Sequence, residues 1–264
     1  MFTNVTQYLK YRNKMAQPMN LPNQEGKQVP DVTWPIRSGD DWKKMSSKKL
    51  FAGKKVVLFS LPGAFTPTCS STHLPRYNQL ASTFKKLGID EVCCMSVNDT
   101  FVMNAWLADQ EAGNITVIPD GNGEFTAGME MLVDKSDIGF GQRSWRYSML
   151  VNDGVIEKMF IEPNKPGDPF EVSDADTMLA YLAPEAKAPE DVSLFTKPNC
   201  PFCEKAKMLL KGAGYEYEEI VLGTQATLAS LKAVSGYDTV PQVFIGGKRI
   251  GGTDDLEAYL QGHS

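Results

Sequence analysis

The chain has 264 residues, 42% of them hydrophobic and 22% charged, and a formal net charge of −5. That leaves room for one large or two modest globular domains, and the mild acidity argues against nucleic acid as the main partner. No apolar run approaches the roughly 18 residues that a membrane span needs. Five cysteines, an odd number, suit reactive thiols in a reducing, cytoplasmic setting better than a secreted disulfide framework.

Residues 1–24 carry Lys10, Arg12 and Lys14 and no acidic residue. With little serine and no apolar core they read as a loosely docked extension rather than a secretory signal. From Glu25 the chain reads as α/β. Lys54 to Ser60 is a strand that breaks at Pro62-Gly63. Leu74, Tyr77, Leu80, Ala81, Phe84 and Leu87 then recur at helical spacing, so Cys69 falls in the first turn of a helix. Asp90 to Val97 is a second strand, and Asn98 and Asp99 cap a following helix. Ile115 to Ile118 is a short strand closed by Pro119-Asp120-Gly121. Asn152-Asp153-Gly154 joins the strands Ser148 to Val151 and Val155 to Ile161 as a hairpin. A Pro/Gly-rich loop over 163–169 leads to a helix near Asp174 to Leu182. Strands alternating with helices, plus a hairpin, predict a mixed sheet covered by helices.

Residues 183–190, with two prolines among Ala, Glu and Lys, form a short stiff linker between a domain at 25–182 and one at 191–264. Eight extended residues span at most about 28 Å. In the second domain Val192 to Thr196 is a strand, and Cys200-Pro201-Phe202-Cys203 leads into a helix. Tyr215 to Leu222 is a strand, Thr227 to Val234 a helix and Val240 to Ile245 a strand. Gly246-Gly247 is a turn, and a last helix covers Thr253 to Leu260.

Two places carry redox chemistry. Unpaired N–H groups and the helix dipole favour a thiolate at Cys69, among polar Thr66, Thr68, Ser70 and Ser71. A C-x-x-C at a strand-to-helix junction is a thiol redox motif, with Cys200 ahead of the helix and Cys203 one turn inside. Pro201 fits the first helical position. A zinc site would need two more ligands, and Cys93 and Cys94 point to opposite faces of a strand in the other domain, so no metal is expected. Cys93 and Cys94 read as core residues. His73, on the face of Cys69, lacks the third group of a nucleophile–base–orienter set and reads as a packing or hydrogen-bonding histidine.

The run P-G-A-F-T-P-T-C-S-S-T-H-L-P resembles the peroxiredoxin active site, P-x-x-x-T-x-x-C, in the form found in the animal peroxiredoxin 5 subfamily. The resemblance implies that Cys69 is the peroxidatic cysteine, with Thr66 hydrogen-bonding the thiolate and Pro62 shielding the pocket. G-F-G-Q-R-S-W-R-Y-S points, by the same resemblance, to Arg143 as the guanidinium beside the thiolate, leaving Arg146 a structural or supporting role. The second domain is similar to glutaredoxin through F-T-K-P-N-C-P-F-C, T-V-P-Q-V-F-I and G-G-T-D-D-L. That implies a glutathione site: Lys197 on the glycine carboxylate, the Val240 backbone along the cysteinyl part, cis-Pro241 facing the C-x-x-C loop, Gly252, Thr253 and Asp254 on the γ-glutamyl end, and Phe202 against the ligand.

Together the resemblances imply an α/β protein of two thioredoxin-fold domains, a peroxiredoxin–glutaredoxin fusion. The implied activity is a glutathione-dependent thiol peroxidase acting on hydrogen peroxide and alkyl hydroperoxides. No cofactor is bound and glutathione serves as reducing co-substrate. Cys69 forms a sulfenic acid, is glutathionylated, and is recycled by Cys200. The implied assembly is a homo-oligomer, dimer or tetramer. Two rival readings are a peroxide-sensing switch reset by the second domain, and a disulfide reductase whose first domain only binds; the set Pro62, Thr66, Cys69 and Arg143 speaks against the latter.

Overall fold

A computed structural model describes residues 21–165, 167–185 and 190–262. Residues 1–20 of the expected extension and 186–189 of the expected linker therefore lie outside the described residues. The chain divides into two compact units, Met1–Glu185 and Ala186–Ser264.

The first unit opens with a two-stranded hairpin, β1 (Thr33–Ser38) and β2 (Asp41–Ser46), followed by the short helix α1 (Ser47–Phe51). The sequence pattern did not announce this hairpin, because β2 is almost wholly exposed and lacks the alternation that burial imposes. The main sheet has five strands in the order β5-β4-β3-β8-β9: β3 (Lys55–Ser60), β4 (Glu91–Ser96), β5 (Thr116–Pro119), β8 (Tyr147–Asn152) and β9 (Val155–Ile161). β3, β4 and β5 run parallel, while β8 and β9 are antiparallel. The helices of this unit are α2 (Leu74–Lys86), α3 (Thr100–Asp109), α4 (Glu124–Gly128) and α5 (Ala175–Leu182). A small hairpin, β6 (Leu132–Asp134) and β7 (Gln142–Ser144), stands apart from the main sheet.

Both faces of the main sheet are buried, so its central strands are apolar in their middles, with polar residues mainly at the ends. Val57, Phe59 and Cys94 face one core, with Tyr77 and Phe84 of α2, Trp106 of α3 and Met178 of α5. Val56, Leu58, Cys93 and Met95 face the other, with Trp34, Phe51 and Phe125. Asp99 caps α3 by accepting from the N–H groups of Phe101 and Val102, and Asp174 caps α5 through the N–H of Thr177.

The second unit has a four-stranded sheet, order β11-β10-β12-β13: β10 (Val192–Thr196), β11 (Glu218–Val221), β12 (Gln242–Ile245) and β13 (Lys248–Gly251). Only β10 and β11 are parallel. Helices α6 (Pro201–Gly212), α7 (Leu228–Ser235) and α8 (Thr253–Gln261) complete it. Its core is smaller: Val192, Leu194, Ala206, Leu210, Val243, Ile245 and Leu256. Each unit thus has a parallel β-α-β start and an antiparallel finish, the mixed α/β arrangement that the strand and hairpin signals predict.

Candidate active site

In the first unit β3 ends at Ser60, and the chain turns through Pro62, Gly63 and Phe65, whose φ of 61° is left-handed. A bulky residue held there is strained, and such strain gathers at functional sites. The Thr66 hydroxyl donates to the Gly63 carbonyl (2.8 Å), and the Asn98 side-chain oxygen accepts from Ala64 N–H (3.1 Å). Thr66 was expected to donate to the Cys69 sulfur; its one hydroxyl proton is instead given to the turn that carries it. Cys69 begins a single π-helical turn, Cys69–His73, that runs into α2, a feature common at functional positions. Its side chain is fully buried.

The guanidinium facing that sulfur belongs to Arg146. Its Nη1 lies 3.5 Å from Cys69 Sγ and 3.0 Å from His73 Nδ1. Its Nη2 donates to both oxygens of Asp168, each at 2.6 Å, and its Cζ lies 5.4 Å from the Phe170 ring centre. Only 1% of the Arg146 side chain is exposed. Burial by itself would depress its pKa, but Cys69 and the Asp168 carboxylate more than offset that and hold it above the ordinary value. This corrects the expectation for Arg143. Its Nη1 donates to the carbonyls of Val97 (2.9 Å) and Gln142 (3.3 Å), in the β6–β7 hairpin beside the Pro62-Gly63 turn. The reason is register. Tyr147 of β8 pairs with Ser60 of β3, so the residue just before β8 lands beside the loop just after β3. Two arginines three residues apart look equivalent in the sequence, and only the strand start separates them.

A second tier fixes this pair. His73 Nε2 lies 3.2 Å from the Ser173 carbonyl. That acceptor assigns the imidazole proton to Nε2 and leaves Nδ1 to accept from Arg146. Burial, and then the Arg146 charge, push the His73 pKa well below its ordinary 6.5, against the weaker pull of Ser173, so the ring is neutral. Glu162, also buried, accepts from the N–H groups of Glu171, Val172 and Ser173 and from the Ser173 hydroxyl, at 2.7–2.9 Å. It thereby pins the loop that presents both Asp168 and the Ser173 carbonyl. Asp168, Glu162 and Ser173 escaped the sequence reading, because isolated polar residues in a Pro/Gly-rich loop carry no periodic signal. Pro62, Lys135, Trp145, Arg146, Asp168 and Pro169 line a small cleft here.

Cys93 and Cys94 sit on β4, fully buried on opposite faces. Burial drives both thiols well above their ordinary range, Glu91 adding to the effect at Cys93 and Cys69 at Cys94. They are core residues, as expected of free cysteine in a central strand. With Cys69 they are the free cysteines among the described residues.

In the second unit Cys200 is the N-cap of α6 and is joined to Cys203 by a disulfide, with Cα atoms 5.2 Å apart. Cys203 N–H points at Cys200 Sγ (3.2 Å), and Pro201 takes the first helical position. The Val240–Pro241 peptide bond is cis. Thr253 donates its hydroxyl to the Phe202 carbonyl (3.0 Å), tying the start of α8 to the C-x-x-C turn. A Cβ on Gly252 would lie 3.9 Å from the Pro241 carbonyl, so that glycine and the cis proline are neighbours. Gly251 has φ of 133°, and a Cβ there would overlap the Asp255 carboxylate, which reaches back to Gly252 N–H (2.9 Å). Phe202, Pro241, Gly252 and Thr253 therefore share one end of the unit, with Asp254 exposed in the first turn of α8. Val240 is half-buried there, and Lys197 is exposed in the loop ahead of Cys200. Among the described residues no hydrogen bond joins Lys197 to the others, and no group of three His, Cys, Asp or Glu side chains could hold a metal ion. No described helix is long and apolar enough to cross a membrane.

The family model described as Redoxin matches residues 24–179, and the one described as Glutaredoxin matches residues 192–250. A hybrid peroxiredoxin of Haemophilus influenzae is 65% identical over 240 residues, 91% of this chain and 100% of the relative. A peroxiredoxin of Synechocystis is 59% identical over 167 residues, 58% of this chain and 88% of the relative. Among solved structures, a reduced peroxiredoxin of Vibrio vulnificus in complex with hydrogen peroxide is similar at a TM-score of 0.57 and 42% identity, over 61% of this chain and 99% of that one.

Proposed function

The chain belongs to the hybrid peroxiredoxins, peroxidases in which a redoxin domain and a glutaredoxin domain share one polypeptide, and from that membership we propose a glutathione-dependent peroxidase acting on hydrogen peroxide and alkyl hydroperoxides. Cys69, as thiolate, attacks the distal peroxide oxygen. The O–O bond breaks, water or alcohol leaves with a proton, and Cys69 becomes a sulfenic acid. Arg146 serves as the cation beside the thiolate and the developing charge on oxygen. Pro62 walls the cleft, and Thr66 acts by fixing the turn. Glutathione condenses with the sulfenic acid to a mixed disulfide and water. Reduced Cys200 then attacks the glutathione sulfur, freeing the Cys69 thiolate, and a second glutathione attacks the Cys200 adduct to release glutathione disulfide. Phe202, Val240, Pro241, Gly252, Thr253, Asp254 and Lys197 form the glutathione site of that step, with the γ-glutamyl carboxylate at the start of α8.

The observation that carries this reading is the lack of a resolving thiol for Cys69 within its own unit. Cys93 and Cys94 lie inside the sheet with thiols held protonated by burial, while the reducible pair Cys200–Cys203 occupies the other unit of the same chain. Sharing a chain raises the effective concentration of one for the other.

The test is peroxide consumption with glutathione, glutathione reductase and NADPH. Steady turnover is expected, with Cys200→Ser slowing it about a hundredfold and Cys203→Ser only about threefold, since a monothiol route needs only the outer thiol at the helix start. No turnover with glutathione alone, or equal losses in the two variants, would refute this route.

A further inference from the structure

We propose that Lys135 and Arg143 form a carboxylate-docking rim on the redoxin domain that holds glutathione while it reacts with oxidised Cys69, a site separate from the one on the glutaredoxin domain. This rests on glutathione being the reductant. The cation inside the cleft is already committed: Arg146 is buried and clamped by both Asp168 oxygens. Two further cations stand at the opening. Lys135 lines the cleft, with Nζ 5.0 Å from the centre of the Trp145 ring. Among the described residues Arg143 donates to backbone carbonyls, and its Nε lies 3.9 Å from where a Cβ on Gly63 would be, next to Pro62.

Both flank one hairpin. Arg143 lies on β7 opposite Val133 of β6, and Lys135 directly follows β6, its N–H donating to the Gly141 carbonyl just ahead of β7 (2.8 Å). Among the described residues neither meets a carboxylate. Hydrogen peroxide and simple alkyl hydroperoxides are neutral and gain nothing from such a pair. Glutathione, with two carboxylates and one ammonium group, is a net anion that must bring its sulfur into this cleft. In the step served, the glutathione thiolate forms an S–S bond to the Cys69 sulfur as the S–O bond breaks. Hydroxide leaves and takes up a proton as water, so glutathione sulfur is oxidised and Cys69 sulfur reduced.

The experiment uses the full chain with Cys200→Ser and Cys203→Ser, so that the adduct on Cys69 persists. Cys69 is oxidised with one equivalent of hydrogen peroxide, and adduct formation is followed by mass spectrometry against thiol concentration. Lys135→Gln or Arg143→Gln should each lower the second-order rate with glutathione about tenfold, and the pair about thirtyfold, in the range by which oriented surface charge steers an anion. The rate with uncharged 2-mercaptoethanol should move less than about twofold, since no charge is steered. Lys135→Arg should restore the glutathione rate. In the chain without rim substitutions, glutathione diethyl ester should react as slowly as glutathione does with the double variant, a comparison that does not depend on how the variants fold. Equal slowing of both thiols, or no slowing of glutathione, overturns the rim while leaving glutathione as reductant. Absence of any glutathione adduct on Cys69 before the rim is altered overturns both.

Discussion

Cys69 and Cys200 occupy matching places, each at the helix start that follows the first strand of a parallel β-α-β unit, β3 in one unit and β10 in the other. Their surroundings differ. Cys200 is an N-cap whose sulfur faces the N–H of Cys203, and its redox partner is one turn away in the same helix. Cys69 is buried in a π-helical turn, and its charged neighbour is a side chain brought 77 residues along the chain by strand pairing. The glutaredoxin cysteine is served by local backbone; the peroxiredoxin cysteine depends on tertiary scaffolding. Substitutions in that scaffold should therefore injure Cys69 chemistry while sparing Cys200.

The largest effect is expected at Arg146. Arg146→Gln should slow Cys69 oxidation by peroxide about a hundredfold, the scale of losing one well-placed donor to a developing oxyanion. Arg146→Lys should recover little, because an ammonium lacks the fork that spans Cys69, His73 and Asp168 at once. Reduction of a small glutathione mixed disulfide by Cys200 in the same protein should be unchanged. Parallel losses in both assays would mean that the two sites do not differ in the way described.

A smaller effect should follow at Asp168, which touches Arg146 rather than the sulfur and so is a positioning residue. Asp168→Ala should cost about tenfold in the peroxide step, through misplacement of a group that must be oriented. Asp168→Glu should restore part of that rate. No loss in Asp168→Ala, or no recovery in Asp168→Glu, would show that the clamp on Arg146 does not position it.

The smallest effect concerns His73 and stability. Burial holds the folded histidine well below 6.5, so under mild acid the unfolded chain binds a proton that the folded chain does not. Stability from this group is complete above about pH 6.5 and falls as pH drops through the window below it, by at most about 1.4 kcal/mol per pH unit. Urea midpoints of the redoxin domain at pH 7.5 and pH 5.5, compared between the unsubstituted chain and His73→Asn, measure it. The variant should show the shallower loss; identical slopes would rule out the buried neutral ring.

Much of this organisation is legible in the sequence. The apolar runs in Lys55–Ser60 and Glu91–Ser96, the helical spacing after Cys69, the Asn152-Asp153-Gly154 turn and the Cys200-Pro201-Phe202-Cys203 junction each report local physics: which segment is buried, where a positive φ is needed, where an N–H is free. The positions of Cys69, Cys200 and Cys203 at element starts, and of Cys93 and Cys94 on opposite faces of one strand, follow from those patterns without tertiary information. The choice between Arg143 and Arg146 does not. It turns on where β8 starts, because the two arginines are three residues apart, and on which edge of β3 it joins, and long-range pairing decides both. The same holds for Asp168, Glu162 and Ser173, single polar residues whose meaning arises only when a loop folds back across a helix. Composition and periodicity thus determined the two cysteine centres and the elements that bear them, because those depend on nearest neighbours along the chain. Only the tertiary structure decided which charge meets the Cys69 sulfur and what holds it there, because a desolvated arginine persists only where distant groups converge to pair with it.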